Sequence, residues 1–288
     1  MISTKKLQVF SSIAKHGNLT AAAAELFLSK AAVSQALSEL ETQLTAPLFD
    51  RVHPRLALNA QGKILQPLAD EVLSRIADIE QLFTQNQLQG QLRLGASHTI
   101  GNYLLPPLLT ALPPGHIQVS IENTYSLCQQ LRHFELDLAL IEGDNPFSEL
   151  ITRPWLTDEM ILVAWPSHPL AMQHDIDYAM LAQQPWVLRE AQSGSRAQFH
   201  QHLAPKLATL GPITELNALE AVMAAVEAGL GLTFISAHAA AARLAQGRLV
   251  KLALPDVFSR QLHLVWHKQK YHSALARHFM TVCTQAGS

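Results

Sequence analysis

The sequence predicts a chain in three parts: a small N-terminal helical unit closed by a β-wing, one long helix, and a two-lobed α/β unit filling the C-terminal two thirds. Three observations carry this expectation. Apolar residues recur every three or four positions from Leu7 to Leu44, the mark of packed helices. A second seam of that period, Leu65, Leu68, Val72, Ile76, Ile79 and Phe83, continues with no neighbouring element to cover it. From Gln91 onward, short apolar runs alternate with helical patterns, as in a mainly parallel sheet flanked by helices.

The first helix is marked by Leu7, Val9, Phe10, Ile13 and Ala14 and ends near His16 and Gly17. Asn18 is placed to cap a second helix, Leu19 to Phe27, whose run from Ala21 to Ala24 lets another backbone come close. Phe27 and Leu28 form a short turn. Ser29 then caps a third helix, in which Val33, Leu37, Leu40 and Leu44 form the buried stripe. Lys30, Ala31, Ser34, Gln35 and Ser38 share a different arc, small or able to hydrogen-bond, beside a helix N-terminus that favours phosphate. An anchored face, a polar face and a cationic start suit the DNA major groove, although an ordinary solvated helix can show the same pattern. The neighbours decide between these readings: three helices with a tight turn make a helix-turn-helix. Pro47 to Arg51, then Arg55, Leu56 and Leu58, read as a two-stranded wing. The expected DNA contacts are Thr20, Ser29, Lys30, Ala31, Ser34, Gln35, Ser38, Arg51 and Arg55, the two arginines on phosphates.

The pattern Leu7-x-x-Phe10, Ala22-Ala23-x-x-Leu26, Ser29, Ala32-Val33-Ser34, Leu40-Glu41, Leu44, Leu48-Phe49-x-Arg51 and Gly62 resembles the signature of the LysR-type transcriptional regulators. Two departures stand out: Thr45-Ala46 where that family usually has a Gly, and Asn59 where a Thr commonly precedes the linker helix. Neither removes a groove-facing group. The resemblance implies a winged helix-turn-helix over 1–59, a linker and dimerisation helix with a hinge over 60–89, and an effector-binding domain over 90–288.

At about 1.5 Å per residue, a helix from Ala60 to Gln87 spans roughly 40 Å, more than one small domain needs, so it is expected to pair with a second copy. Packing of the seam on its own chain is the competing expectation. Thr84 to Gln87 and Gly90 read as the hinge. Beyond it the expected strands are Leu92–Gly95, Ile117–Glu122 and Leu136–Glu142, with helices Ile100–Leu112 and Ser126–Phe134 between them. Ile151–Leu156 and Glu159–Trp165 read as two neighbouring strands, followed by a crossover into a second lobe of about 162–267. That lobe includes a helix Ser195–Leu210, and 268–288 returns to the first lobe, giving a clamshell like that of periplasmic binding proteins.

Ligands of such sheets bind at the carboxyl ends of the strands. The residues there are Ser97, His98 and Thr99, then Thr124, Glu142, Arg189, Ser195 and Arg196: hydroxyls near helix starts, with two arginines. Each hydroxyl alone reads equally well as a helix cap; their convergence points to a small anion. The family resemblance implies effector contacts at Ser97, Thr99, Ser195 and Arg196. Glu142 runs against a simple anion pocket, leaving three options: a protonated acid, an amine ligand, or an Arg partner. Ser97 to Tyr103 and Ile141-Glu142-Gly143 resemble regulators of sulfur and carbon assimilation, which makes sulfite or sulfate the first candidates.

The chain has 288 residues, 48% hydrophobic and 15% charged, enough for several cores and too apolar for disorder. A net charge of −2 gives no global pull toward nucleic acid, and the first 60 residues hold six Lys and Arg against four Asp and Glu. Such a weak local charge implies that several copies act together on DNA. The 14 histidines are scattered, with no metal spacing, and no P-loop, G-x-S-x-G elbow or dinucleotide fingerprint occurs. No catalytic residue, metal or cofactor is therefore expected. Cys128 and Cys283 form no disulfide framework, and no run reaches membrane-spanning length, pointing to the cytoplasm. The expectation is a regulator, not an enzyme. Its partners would be double-stranded DNA, a second copy in a dimer or tetramer, a small-molecule effector and RNA polymerase. The competing class is a solute-binding or enzymatic clamshell on an oligomerising helix.

Overall fold

The structure is a computed structural model that describes residues 1–52, 55–80, 91–113 and 116–287, with the backbone alone at 51, 52 and 116. Helix α1, Thr4–His16, is capped by Ser3, whose side chain accepts from the Lys6 N–H, and stops at Gly17 in the left-handed region, φ 66°. Helix α2, Leu19–Glu25, is capped by Asn18, and α3, Lys30–Leu44, by Ser29. Strands β1, Phe49–Val52, and β2, Arg55–Leu58, pair antiparallel, and the Leu56 N–H donates to the Gly17 carbonyl, seating the wing on the end of α1. Val9, Phe10, Ile13, Val33, Leu40 and Leu48 are buried together in the core of this unit.

Both departures from the family signature have a local solution. Thr45 adopts φ 53°, the left-handed conformation that a Gly would take there, and its hydroxyl donates to the Leu44 carbonyl at 2.7 Å. Asn59 keeps the capping role: its Oδ1 accepts from the Gly62 N–H at 2.9 Å, and its Nδ2 donates to the Pro47 carbonyl. Gly62 itself is required by contact, since a Cβ there would lie 2.2 Å from the Leu48 carbonyl oxygen.

Helix α4, Ala60–Glu80, has three sides. Leu65, Ala69 and Leu73 pack on the helix-turn-helix core, so the own-chain packing weighed above accounts for part of the seam. Ile64, Leu68, Val72 and Ile79 lie on an adjacent side and are exposed, Leu68 at 55%. Gln66, Asp70 and Asp78 occupy the third side and bond to the C-terminal unit. The expected hinge, and the helix end at Phe83 to Gln87, lie outside the described residues.

The first lobe is built on β3, Gln91–Ser97, followed by a π-helical turn at Ile100–Leu104 and α5, Leu105–Thr110. Strand β4, His116–Glu122, α6, Thr124–Arg132, and β5, Leu138–Ile141, complete its parallel layer, with β3 between β4 and β5. Strand β6 runs from Leu150 to Ala164 without interruption, where two strands were expected. Its burial changes along the strand as it passes from one lobe to the other, and that change reads as a boundary in the sequence.

The second lobe contains β7, Trp186–Arg189, α7, Gly194–Gln198, β8, Ile213–Leu216, α8, Leu219–Glu227, and β9, Thr233–Ser236. It ends with α9, Ala237–Ala245, and β10, Val250–Lys251. Strand β11, Phe258–His267, then runs back beside β6, and α10, Ala274–Ala286, covers the first lobe. The large sheet has the order β10-β6-β11-β5-β3-β4 with β9 also on β6, and β7 and β8 form a separate pair. Each lobe has a core: Leu92, Leu94, Leu264 and Phe279 in the first, Trp186, Phe199, Phe234 and Leu252 in the second. The two helices expected at 100–112 and 195–210 are both broken. Helix α7 widens into a π turn at Phe199–Leu203 and a 3₁₀ turn at Ala204–Lys206. Pro106, Pro107 and Pro205 supply no N–H for regular helical bonding, and each break falls beside one of them.

Candidate functional sites

On the helix-turn-helix, the groove-facing set predicted from sequence is exposed: Thr20, Ser29, Lys30, Ala31, Ser34, Gln35, Ser38 and Arg55. Thr20, Lys30, Ser34, Ser38 and Arg55 line one depression between α2, α3 and the wing. Ala31 and Gln35 sit at its flank, where the Gln35 amide donates to Glu39 at 2.9 Å. The side chain of Arg51 lies outside the described residues. The acidic groups of α3 are tied back to the protein. Glu39 pairs with Lys6 at 2.9 Å, and Glu41 accepts from the Leu48 N–H at 2.7 Å. Phe27, in the turn, has φ 53° and is 96% exposed.

In the clamshell the centre is Glu142, directly after β5. Its side chain is buried and accepts from the Arg260 Nη1 at 2.7 Å, the Thr99 N–H at 2.8 Å and the Ser195 hydroxyl at 3.2 Å. Arg260, on β11, also holds Asp158 of β6 at 2.9 Å and donates to the Thr99 hydroxyl at 3.3 Å. The Asp158 carboxylate accepts from the Ser236 hydroxyl at 2.9 Å. Burial alone would raise the Glu142 pKa; the charge of Arg260 and the hydrogen bonds from Thr99 outweigh it and hold the carboxyl at about 2. Of the three options for Glu142, the Arg pair is the one present; the protonated acid and the free amine receptor are not. The bond from Ser195 joins the second lobe to the first through this carboxylate.

Arg260 and Asp158 were missed in the sequence. Their signal was available: each is a charged residue on a strand among buried apolar neighbours, Phe258 and Leu262 around Arg260 and Met160 after Asp158. A buried charge requires a partner, and each strand supplies the other's.

Beside Glu142 lies a cavity of about 110 Å³ lined by Thr124, Tyr125, Gly143, Gln192, Ser193 and Gly194. It opens between the first turn of α6 in one lobe and that of α7 in the other. The Thr124 hydroxyl is buried and has no hydrogen-bond partner among the described residues. Gly194 permits the approach, for a Cβ there would sit 2.8 Å from the Glu142 Cβ and 3.0 Å from the Gly143 nitrogen. The two arginines expected at the ligand are engaged elsewhere. Arg189 is held by Glu190 through two bonds of 2.8 and 3.0 Å, and Arg196 donates to His200 and to the Arg189 carbonyl. Neither lines the cavity. His98 is half-buried, and burial followed by the charge of Arg189 lowers its pKa, leaving it neutral near pH 7. Among the described residues no cluster of His, Cys, Asp or Glu has the arrangement of a metal site. The Cys128 and Cys283 thiols are free and pushed by burial up to about 12, far from a reactive thiolate.

Residues 4–63 match the bacterial regulatory helix-turn-helix proteins of the lysR family, and residues 85–288 match the LysR substrate binding domain. The chain belongs to the LysR family of transcriptional regulators. It is 37% identical over 290 residues to the uncharacterized HTH-type transcriptional regulator YeiE of Escherichia coli K12, covering 99% of this chain and 98% of that one. It is 30% identical over 287 residues to the RuBisCO operon transcriptional regulator of Allochromatium vinosum, covering 96% and 94%. Among solved structures, ArgP from Mycobacterium tuberculosis superposes with a TM-score of 0.79 at 20% identity, covering 100% of this chain and 98% of ArgP. The fold is therefore that of the family throughout: an N-terminal helix-turn-helix and a C-terminal two-lobed α/β domain. LysR-family proteins are oligomeric regulators that bind DNA and small-molecule effectors, and they are not enzymes. No helix among the described residues is long and apolar enough to cross a membrane.

Proposed function

We propose that this regulator holds a small oxyanion between its lobes and that the occupied clamshell changes how paired helix-turn-helix units grip DNA. The observation that carries the reading is the Thr124 hydroxyl: buried, without a hydrogen-bond partner among the described residues, and lining a cavity between two helix N-termini. The cavity of about 110 Å³ suits an ion of a few heavy atoms. Glu142 is paired with Arg260, which it shares with Asp158, so the buried group keeps one net negative charge that the helix N-termini at the cavity have to outweigh for an anion to bind. Sulfite and sulfate are the first candidates, from the resemblance around Ser97 to Tyr103. Ser97, His98, Thr99 and Ser195 then act as the surrounding shell.

On the DNA side, Lys30, Ser34, Gln35 and Ser38 read base edges, and Arg55 with the wing holds phosphate. Two copies pair through the exposed side of α4, at Ile64, Leu68, Val72 and Ile79, and RNA polymerase is met at the promoter they occupy. The setting is the cytoplasm. Calorimetric titration of the full-length protein with sulfite, sulfate, small carboxylates and amino acids tests the ligand. Binding of an oxyanion that is lost in Thr124→Val supports the reading. Binding of an amino acid alone overturns it.

A further inference from the structure

The third side of α4 carries polar groups at 66, 70 and 78, spacings of four and eight that put them in one row along the helix. All three bond to the first lobe of the same chain. The Gln66 amide donates to the His133 carbonyl at 2.7 Å, and the Tyr271 hydroxyl donates to Asp78 at 2.6 Å, with the Arg75 guanidinium 4.5 Å from the centre of the Tyr271 ring. Between them, Asp70 enters a closed ionic group. Lys270 Nζ lies 2.6 Å from Asp70 and 3.0 Å from Asp137, and Arg93 lies 3.4 Å from Asp70 and 2.6 Å from Asp137. The Lys270 side chain is 1% exposed. Two cations face two anions, so the group is neutral as a whole. Its loss is costly, because separating α4 from the lobe takes one carboxylate out of a buried set.

Nothing in the repair of a core requires these charges. The HTH unit and each lobe have complete apolar cores of their own, and the ionic group sits outside all of them, at the seam between α4 and the lobe. We propose that Asp70, Arg93, Asp137 and Lys270 form a latch that fixes the DNA-binding unit in one orientation on its own first lobe, and that opening it frees that unit to reorient. The latch is discrete rather than graded, since a bidentate guanidinium and a buried ammonium have one geometry in which all partners are met. It is also well placed. Arg93 is on β3, four residues before Ser97, and Asp137 immediately precedes β5, which ends at Ile141, next to Glu142. Latch and interlobe cleft thus occupy opposite ends of the same two paired strands, Gly95 lying opposite Ala139. A shift of β3 against β5 at the cleft moves Arg93 and Asp137 at the latch.

The test is a distance measurement in the full-length protein without ligand or DNA, so its result does not depend on the effector. Spin labels are placed at Thr42→Cys on α3 and Gln285→Cys on α10, both exposed sites, and labelled copies are diluted with unlabelled ones so that only distances within one chain are seen. With the latch intact, one narrow distance is expected. Asp70→Asn, which keeps the shape and removes the charge, should broaden or shift that distribution, and Lys270→Met should do the same. Gln66→Ala, on an exposed bond at the other end of the row, serves as the milder variant should the buried Lys270 change impair folding. Circular dichroism unfolding of each variant separates a loosened seam from a damaged lobe. A distribution in Asp70→Asn as narrow as the parent's, at the same distance, would overturn the latch.

Discussion

Replacing Glu142 with Gln keeps the shape of the side chain and removes the charge that Arg260 was placed to meet. The size of the effect follows from the carboxyl's titration. Its folded pKa is about 2 against an ordinary 4.5, and at 1.36 kcal/mol per unit the ionised form contributes on the order of 3 kcal/mol to folding at neutral pH. A depressed carboxylate pKa contributes fully above the unfolded value and loses its contribution as pH falls through the folded one. The window is therefore pH 4.5 down to about 2. For a domain of this size, on the order of 3 kcal/mol corresponds to a melting temperature lower by roughly 6 to 12 °C at pH 7. Scanning calorimetry at pH 7 measures the drop, and a melting series from pH 5 to pH 2 measures its origin. The parent should lose stability across that window, and Glu142→Gln should lack that component and converge on the parent at the acid end. A variant melting within about 1 °C of the parent at pH 7 would refute the assignment of Glu142 as an ionised strut between the lobes.

Two further outcomes follow from the other faces of the molecule. Gln35→Ala should relax sequence preference at one base at a cost of about 1 to 3 kcal/mol, read by competition binding with single-base variants of the operator; unchanged preference at every position would remove Gln35 from the groove. Leu68→Lys with Val72→Lys, both on the exposed side of α4, should give monomers in light scattering and abolish specific DNA binding, whereas an intact oligomer would place the interface elsewhere.

How much could be read in advance depended on how local the determining contacts are. The helix-turn-helix was legible because its buried stripe, its caps at Asn18 and Ser29 and its turn are all set by residues within four positions of one another. Helix α4 was legible as a helix, and its period could not say which side meets the cores and which stays bare. The continuity of β6 was hidden because its face pattern changes where it crosses between lobes. The breaks in the helices after Thr99 and Ser195 were hidden in prolines that period counting passes over. Around Glu142, the approach of Thr99 and Ser195 could be anticipated from their places after strands and before helices. Arg260 was not, because it meets Glu142 across 118 positions of sequence, and only the tertiary fold brings them together. Arg189 and Arg196 looked free in the sequence for the converse reason, since the Glu190 and His200 that engage them are ordinary neighbours until the geometry is known.

The measurement that bears most directly on the central claim is DNA affinity with and without a small oxyanion. A labelled DNA fragment carrying an operator located by footprinting is titrated with full-length protein and followed by fluorescence anisotropy, in buffer alone and in sulfite or sulfate. A ligand that binds one clamshell state better must shift this curve or the footprint. A shift is expected in the parent and none in Thr124→Val, which should bind DNA as the parent does in the absence of the oxyanion. No shift in the parent with any oxyanion, or an equal shift in Thr124→Val, would contradict the claim.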